Sequence, residues 1–489
     1  MDAKALTSRN GVEYGLTVFL ALMVVSLYYV SPLFMLTGAL GMTLVLLIFL
    51  KNPGYLGLLL PVILPYPFQN IEVLSLVHPR GFFILSLVGY IVIRQFVRAR
   101  FFFSRPLARF TKMLACFLGA TLISLIKTIS ELYATDYITP AMVRSTVLSD
   151  IMFTVQGFLL LYIIYYGVET LPQLQRLLNA IIAVSAVIAL LGILQYAIGG
   201  TPPLAGFLFD PEYRFYGRAT SVFSNPNALG GFVAPMVVIT FVSLVWGTTN
   251  HWKRFLFLAP ALGLNILALF VSFSRAAVLQ VLCGMLVLSG LYYFEIWDKR
   301  LSWKVVLVAL LTLGLIFAAF RYYGVYMRAR LASYQEDKYY AALHWIETTS
   351  DFQRKQNIIR ALQTFAAHPL IGIGYNLFAG KKIAGAEYFG LSPHNQYLKI
   401  LTEMGLFGFL PFIALFGIVI KTGLNLWNRP PGQRLGRDEQ ILALLLLSGF
   451  SAIASGYFFA DSIVFLPING YLWIFSGAIF ALDHRLEKG

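Results

Sequence analysis

Residues 394–420 read HNQYLKILTEMGLFGFLPFIALFGIVI, and this stretch decides the class of fold. After Glu403 it carries no charge for about 17 residues, which is long enough to cross a bilayer as a helix. Comparable apolar runs recur from end to end, and we predict about fourteen spans. They lie near 14–30, 33–50, 54–72, 80–96, 113–130, 151–168, 177–197, 228–246, 255–272, 276–293, 304–320, 394–420, 440–459 and 463–482.

The composition supports the same interpretation. The chain is 58% hydrophobic and only 12% charged, whereas soluble domains carry about 25% charged residues. We therefore predict an all-α, polytopic membrane helix bundle. The net charge of +15 is explained by basic segments on the cytoplasmic side that rest on anionic lipid. The densest basic run, between Arg94 and Lys112, contains no acid. We expect no nucleic-acid partner.

The orientation and the domain boundaries follow from this pattern. An even number of spans places both termini on one side of the membrane, and the excess of Lys and Arg on that side makes it the cytoplasmic side. We therefore predict a multi-pass membrane protein with both termini in the cytoplasm. The stretches near 198–227 and 321–393 are then extracytoplasmic. The second is a long loop in which residues 350–369 predict a helix, with Ser350 as N-cap and Pro369 at the end. We divide the chain into an N-terminal membrane bundle (1–197), a catalytic region (198–420) and C-terminal membrane helices (421–489).

Arginines mark the predicted outer face. Arg214 and Arg218 precede the span that Asn225 and Asn227 open, and Arg275 lies at the outer corner between two further spans. A guanidinium group suits bidentate contact with phosphate, so these side chains predict a site for a phosphorylated group, best a lipid diphosphate. Snorkelling of Arg275 to lipid headgroups is the alternative interpretation.

His394 stands where the long loop becomes a membrane helix. We expect Ser392 as N-cap and Pro393 in the first turn of that helix. The positive end of the helix dipole disfavours a charged imidazole, so a neutral His394 is a candidate general base. Asn395, Lys399 and Glu403 recur at four-residue spacing on one stripe, and we expect Lys399 and Glu403 to form a buried pair. A purely structural histidine is the competing interpretation.

The sequence lacks the motifs of several common kinds of enzyme. The sequence contains no HExxH motif and no cysteine cluster, since only two cysteines are present. It also lacks the GxxxxGK[ST] loop that binds nucleoside triphosphates. We therefore expect neither a metal nor another cofactor.

Four segments together resemble the O-antigen ligase and polymerase superfamily, the Wzy and WaaL proteins. They are RATSVFSNPNALGGF from Arg218, SFSRAA at 272–277, RKQNIIRALQTFAAHPLIGIGYNLF from Arg354, and PHNQYLKILTEMGLFG from Pro393. The resemblance implies a metal-independent, inverting glycosyltransferase of the C-type fold in a bacterial inner membrane. It implies that Arg218 and Arg275 hold the diphosphate of an undecaprenyl-linked glycan, that His394 activates the acceptor hydroxyl, and that Arg354 matches a loop arginine of the family.

The resemblance leaves the acceptor open. A polymerase transfers the growing glycan to another lipid-linked repeat unit, whereas a ligase transfers it to a lipid A core sugar. The length and the span number favour a polymerase, for which a chain-length regulator protein is an expected partner. A transporter or flippase is the third hypothesis, because buried charges such as Lys127 and Asp461 would suit a permeation path.

Overall fold

The structure is a computed structural model. It describes residues 103–133, 149–198, 218–223, 225–247, 254–291, 354–378, 392–427, 435–460 and 465–488, and isolated positions between 64 and 92 and at 252 and 314. Within these residues there are helices and turns but no strands. The helices are α1 Arg105–Tyr133, α2 Ser149–Gly167, α3 Leu171–Ile198, α4 Pro226–Val245, α5 Ala259–Val271, α6 Arg275–Leu291, α7 354–367, α8 Gln396–Asn425, α9 Arg437–Gly456 and α10 Leu466–Lys488.

Seven of these helices (α1–α4 and α8–α10) are long and apolar enough to cross a membrane. Helices α5 and α6 are shorter and also apolar. A π-helical turn at Arg254–Leu258 precedes α5. The all-helical membrane fold is thus confirmed, and each of the nine corresponds to a predicted span. The predicted spans near 14–30, 33–50, 54–72, 304–320 and most of 80–96 lie outside the described residues. The total of about fourteen therefore stays a prediction.

Helices α4 and α10 form the centre of the bundle. Helix α4 is buried along nearly its whole length and packs against α5, α6 and α9. The apolar stretch of α10 is wholly buried, and its Trp473, Phe475 and Phe480 are completely inaccessible. A helix that is apolar all round belongs inside a bundle. Helix α2 packs on α10, α1 packs on α8, and α3 packs on α5.

Long-range hydrogen bonds join the ends of α3 and α4 and, separately, the ends of α8, α9 and α10. Phe223, before α4, packs on Phe465, before α10, with ring centroids 6.1 Å apart, so both groups lie at one end of the bundle, which we call the site end. Gln195, near the end of α3, accepts from the backbone N–H groups of Thr220 and Ser221, just before α4. The first N–H of α8, from Gln396, donates to the Tyr457 carbonyl oxygen at the end of α9 at 2.7 Å. The Tyr457 hydroxyl donates to Asn469 Oδ1 in the first turn of α10. The predicted outer segments therefore share one end of the fold.

Helix α8 is broken at Gly405, whose φ of 62° and ψ of −164° interrupt the helical backbone. A break frees backbone N–H and C=O groups, which must find other partners. The loop after α7 supplies them. The N–H groups of Ile373 and Gly374 donate to the carbonyl oxygens of Thr402 and Glu403. The N–H groups of Leu406 and Phe407 donate to the loop carbonyls of Pro369 and Leu370.

Candidate functional site

Arg218 is fixed at the corner where α4, α5 and α6 meet. Its Nε donates to the Ser272 carbonyl oxygen at 3.0 Å, and its Nη2 donates to the Phe273 carbonyl oxygen at 3.3 Å. The same Nη2 donates to Asn227 Oδ1 at 3.0 Å. Arg218 thus joins the end of α5 to the first turn of α4. It supports this corner whatever else it binds.

Arg275 begins α6 directly beyond that corner, and its side chain is exposed. The chain enters α6 through Phe273, whose φ of 50° is in the left-handed region. Ser272 and Ser274 are buried on either side. The bonds from Arg218 to the carbonyls of Ser272 and Phe273 therefore place two of the predicted phosphate-binding arginines at one turn. Arg214, the third, lies outside the described residues.

The first turn of α4 lies against the same corner. Asn225 is its N-cap, and the side-chain oxygen of Asn225 accepts from the Ala228 N–H at 2.9 Å. A Cβ at Gly230 would lie 2.6 Å from the Ser274 Cβ, so only glycine allows α4 and α6 to approach this closely. The positive end of the α4 dipole therefore lies beside the Arg218 and Arg275 turn, which favours anions there.

His394 lies immediately before α8 and is exposed. Its φ of 48° is unusual for a residue other than glycine. The N-cap is Asn395, whose Oδ1 accepts from the Leu398 N–H at 3.0 Å. The prediction of Ser392 as N-cap was therefore wrong. Ser392 instead accepts the His394 N–H on its Oγ at 2.9 Å, so it shapes the turn that carries the imidazole.

Asn357 on α7 holds this turn in place, a role that the sequence did not reveal. Its side chain is buried, and its Nδ2 donates to the Ser392 carbonyl oxygen at 3.0 Å. One turn later, the Ala361 carbonyl oxygen accepts from Thr402 Oγ1 on α8 at 3.2 Å. Arg354 begins the described part of this helix and is half-buried. Helix α7 therefore packs on the first segment of α8 and reaches the residues before His394.

We predict that Asn357→Ala lowers the turnover of the proposed reaction roughly fivefold, the worth of one hydrogen bond of about 1 kcal/mol. The physical reason is that the turn carrying His394 loses a tertiary anchor. The Michaelis constant should stay unchanged, because Asn357 lies under the turn. Steady-state kinetics measure both quantities, and Gln363→Ala on the exposed face of the same helix is the matched control. An Asn357→Ala enzyme with normal turnover would contradict the positioning role.

A small cavity lies beneath the first segment of α8. Its lining includes the polar side chains of Gln396, Lys399, Glu403, Tyr375 and Thr154. Its volume of about 20 Å³ is room for about one water molecule. Gln396 and Glu403 are almost completely buried, and Lys399 is half-buried. The predicted supporting residues Lys399 and Glu403 therefore share one small, mostly apolar cavity about two turns from His394.

The loop after α7 contributes Tyr375 to the lining of this cavity. Burial raises the pKa of Tyr375 well above its ordinary value, and the nearby Asp150 and Glu403 carboxylates raise it further. A hydrogen bond with Thr154 has the opposite, smaller effect. The phenol thus stays protonated at every working pH. It offers the cavity an O–H group beside two acidic side chains.

A run of packed residues connects the arginine corner to the histidine turn. Gln280, in the second turn of α6 after Arg275, is buried, and its side chain lies against Gly456 at the end of α9. The next residue, Tyr457, accepts the Gln396 N–H at the start of α8. Both groups of predicted site residues therefore lie at the site end, joined through the end of α9. Among the described residues no three His, Cys, Asp or Glu side chains cluster as a metal site would require.

The fold and this end of the bundle define an integral membrane protein with a polar, arginine-containing site at one end of its helices. Residues 260–413 match the family model Wzy_C, described as O-antigen ligase. This match supports membership of the O-antigen ligase and polymerase superfamily. The matched segment contains Arg275, α7 and the turn before α8. Comparisons with curated proteins and with solved structures gave no match.

Proposed function

We propose that this protein is a membrane glycosyltransferase that polymerises undecaprenyl-diphosphate-linked oligosaccharide repeat units at the outer face of a bacterial inner membrane. The observation that carries the proposal is the O-antigen ligase match, which spans both the Arg275 turn and the His394 turn. The family is of the glycosyltransferase kind and implies a lipid-linked glycan as substrate. The proposal includes a C-type fold, cytoplasmic termini and a catalytic region over residues 198–420.

The chemistry follows from the two groups of residues. His394 accepts the proton of the acceptor hydroxyl, and that oxygen forms a new bond to the anomeric carbon of the donor sugar. The bond between that carbon and the diphosphate oxygen breaks, and the electron pair leaves with the diphosphate. Arg275 and Arg218 stabilise the negative charge that develops there. Attack from the face opposite the leaving group inverts the anomeric centre, and no metal or other cofactor takes part in these steps.

The supporting residues fit the same scheme. The first turn of α4, with Asn227 beside Arg218, offers the positive end of its dipole to the diphosphate. Asn395 caps the helix beside the base. We assign Lys399 and Glu403 to the small cavity that keeps the first segment of α8 in register, and Arg354, with Arg214, to binding of the diphosphate. A chain-length regulator is a further proposed partner.

The experiment that tests this function is reconstitution with defined substrates. Purified protein in proteoliposomes, given a lipid-linked repeat unit alone, should produce a ladder of longer glycans on the lipid carrier. The second candidate is an O-antigen ligase, which the description of the matching family favours. A ligase would produce no ladder but would transfer one glycan to an added lipid A core acceptor. No new glycosidic bond with either acceptor would contradict both candidates.

Charge reversal at Arg275 tests the proposed binding of the diphosphate by arginine more directly than the same change at Arg218. Arg275→Glu should weaken donor binding by roughly 10- to 100-fold, because it removes a charge-assisted hydrogen bond to phosphate of about 1.5–3 kcal/mol. The same change at Arg218 would also break the bonds that join α5 to α4. The Michaelis constant for the lipid-linked donor measures the effect. Arg437→Glu, exposed at the far end of α9, is the control, and equal donor affinity in both variants would refute the clamp.

A further inference from the structure

Large apolar side chains project outward at the tip of the loop after α7. Leu370 and Ile371 are 68% and 47% exposed, although both follow a helix that packs on the protein. The Leu370 carbonyl oxygen accepts the Phe407 N–H at 3.0 Å, so the tip lies directly beside α8. Phe407 and Leu410, on the outer surface of that helix, are 53% and 60% exposed. The apolar surface of a candidate membrane span therefore continues onto the loop.

Two helices fix the depth of this tip independently. On one side, residues 406–425 of α8 would reach about 30 Å at 1.5 Å per residue, the thickness of the hydrocarbon core. Leu370 bonds to the beginning of that stretch. On the other side, Lys127 Nζ donates to the Gly372 carbonyl oxygen at 2.7 Å, and Lys127 lies within the candidate span Arg105–Ser130. Its neighbour Ile126 is 67% exposed. The tip thus lies level with the ends of two spans.

Helix α7 has the side chains of a helix that lies along a membrane surface. Asn357 and Ala361 face the protein, whereas Ile358, Ile359 and Leu362 are 37%, 39% and 48% exposed. Ile358 and Leu362 are four residues apart and share a face of α7, and the described protein leaves that face exposed. Three basic residues accompany it, Arg354, Lys355 and Arg360. Exposed aliphatic side chains with long basic neighbours are typical of interfacial helices.

We propose that α7 and the tip, residues 354–372, are seated in the membrane surface at the site end, with Leu370 and Ile371 among phospholipid acyl chains. Lipid is the partner of this surface, because the surface is continuous with Phe407 and Leu410, which a candidate membrane span exposes. The basic side chains then lie at the level of the phosphate headgroups. This inference needs only a membrane-embedded chain and does not rest on the proposed reaction.

The consequence concerns the site. The same loop satisfies the backbone groups freed at Gly405, and Asn357 anchors the turn before His394. A membrane-seated α7 would therefore hold His394 at a fixed height above the bilayer. A lipid-linked substrate carries its diphosphate at the headgroup level. Contacts between α7 and the surrounding lipid thus help to position the imidazole of His394.

Fluorescence quenching tests the proposal without measuring catalysis. Cys116 and Cys283, the only cysteines, are replaced by serine, and a single cysteine is placed at Leu370 and labelled with a nitrobenzoxadiazole dye. The protein is reconstituted in nanodiscs of phosphatidylethanolamine and phosphatidylglycerol, with or without a shallow spin-labelled lipid. Leu410→Cys on α8 is the lipid-facing reference. Ala367→Cys, exposed on the side of α7 opposite Ile358, is the matched aqueous control.

The expected result is blue-shifted emission at position 370 and loss of emission on adding spin-labelled lipid, as at position 410. The dye at position 367 should emit as in water and be quenched by aqueous iodide. Emission at position 370 that matches position 367 would overturn the proposal. So would blue-shifted emission without lipid quenching, which would show that protein and not lipid covers the tip. Ile371→Cys provides the same measurement if Leu370→Cys does not fold.

Discussion

Replacement of His394 by alanine should slow glycosyl transfer by roughly 10²- to 10⁴-fold, the contribution of a positioned general base. The imidazole is exposed at the site end and lies directly before the N-cap of α8. Without it, the acceptor hydroxyl must lose its proton to water. Donor binding depends on the arginine corner, so the Michaelis constant for the lipid-linked donor should change little.

Two further variants separate catalysis from structure. His394→Asn introduces another residue that tolerates the positive φ of this position. This variant should therefore fold like the wild type and be as inactive as His394→Ala. His368→Ala removes an exposed histidine at the end of α7 and should leave the rate unchanged. The product ladder and a thermal unfolding curve are measured for each protein. A His394→Asn enzyme that elongates glycans normally would refute the general-base role.

The apolar pattern was enough to predict the helical membrane fold. Runs of uncharged residues depend only on composition, and lipid leaves the backbone little choice but a helix. The helix starts were less certain. Ser392 and Asn395 are both good N-cap residues three positions apart, and only tertiary contacts distinguish them. Because the Tyr457 carbonyl oxygen accepts the Gln396 N–H, the helix begins after Asn395.

The sequence was enough to predict which residue types form the candidate site, but not which residues hold them in place. Arginines and a histidine on predicted outer segments are visible in the sequence, since ionisable side chains beside apolar spans are conspicuous. Their supports are amides and carbonyls from distant segments, such as Asn357 and the Ser272 backbone, which have no chemical signature of their own. The break at Gly405 is similar. Gly408 and Gly417 lie in the same helix and remain helical, so the glycine that breaks it is chosen by the loop that packs there.

Gly405→Ala should destabilise the protein by roughly 2 to 6 kcal/mol, the sum of backbone strain and overpacking. The φ and ψ of Gly405 are nearly inaccessible to residues that have a Cβ. An added Cβ would also lie 2.4 Å from the Leu370 carbonyl carbon and oxygen. These backbone atoms cannot retreat, because Leu370 and Pro369 hold the freed N–H groups of α8. Glycosyl transfer should fall as well, since the first segment of α8 carries His394.

The sign of the effect distinguishes a broken helix from a continuous one. If α8 were regular at Gly405, alanine would stabilise it by up to about 1 kcal/mol through its higher helix propensity. Gly417→Ala provides that case within the same helix, since nothing lies within 4 Å of its added Cβ, and it should be neutral or stabilising. Apparent melting temperatures in the same detergent compare the two variants. Equal melting temperatures would mean that the loop does not hold α8 open, and the frame around His394 would need another source of rigidity.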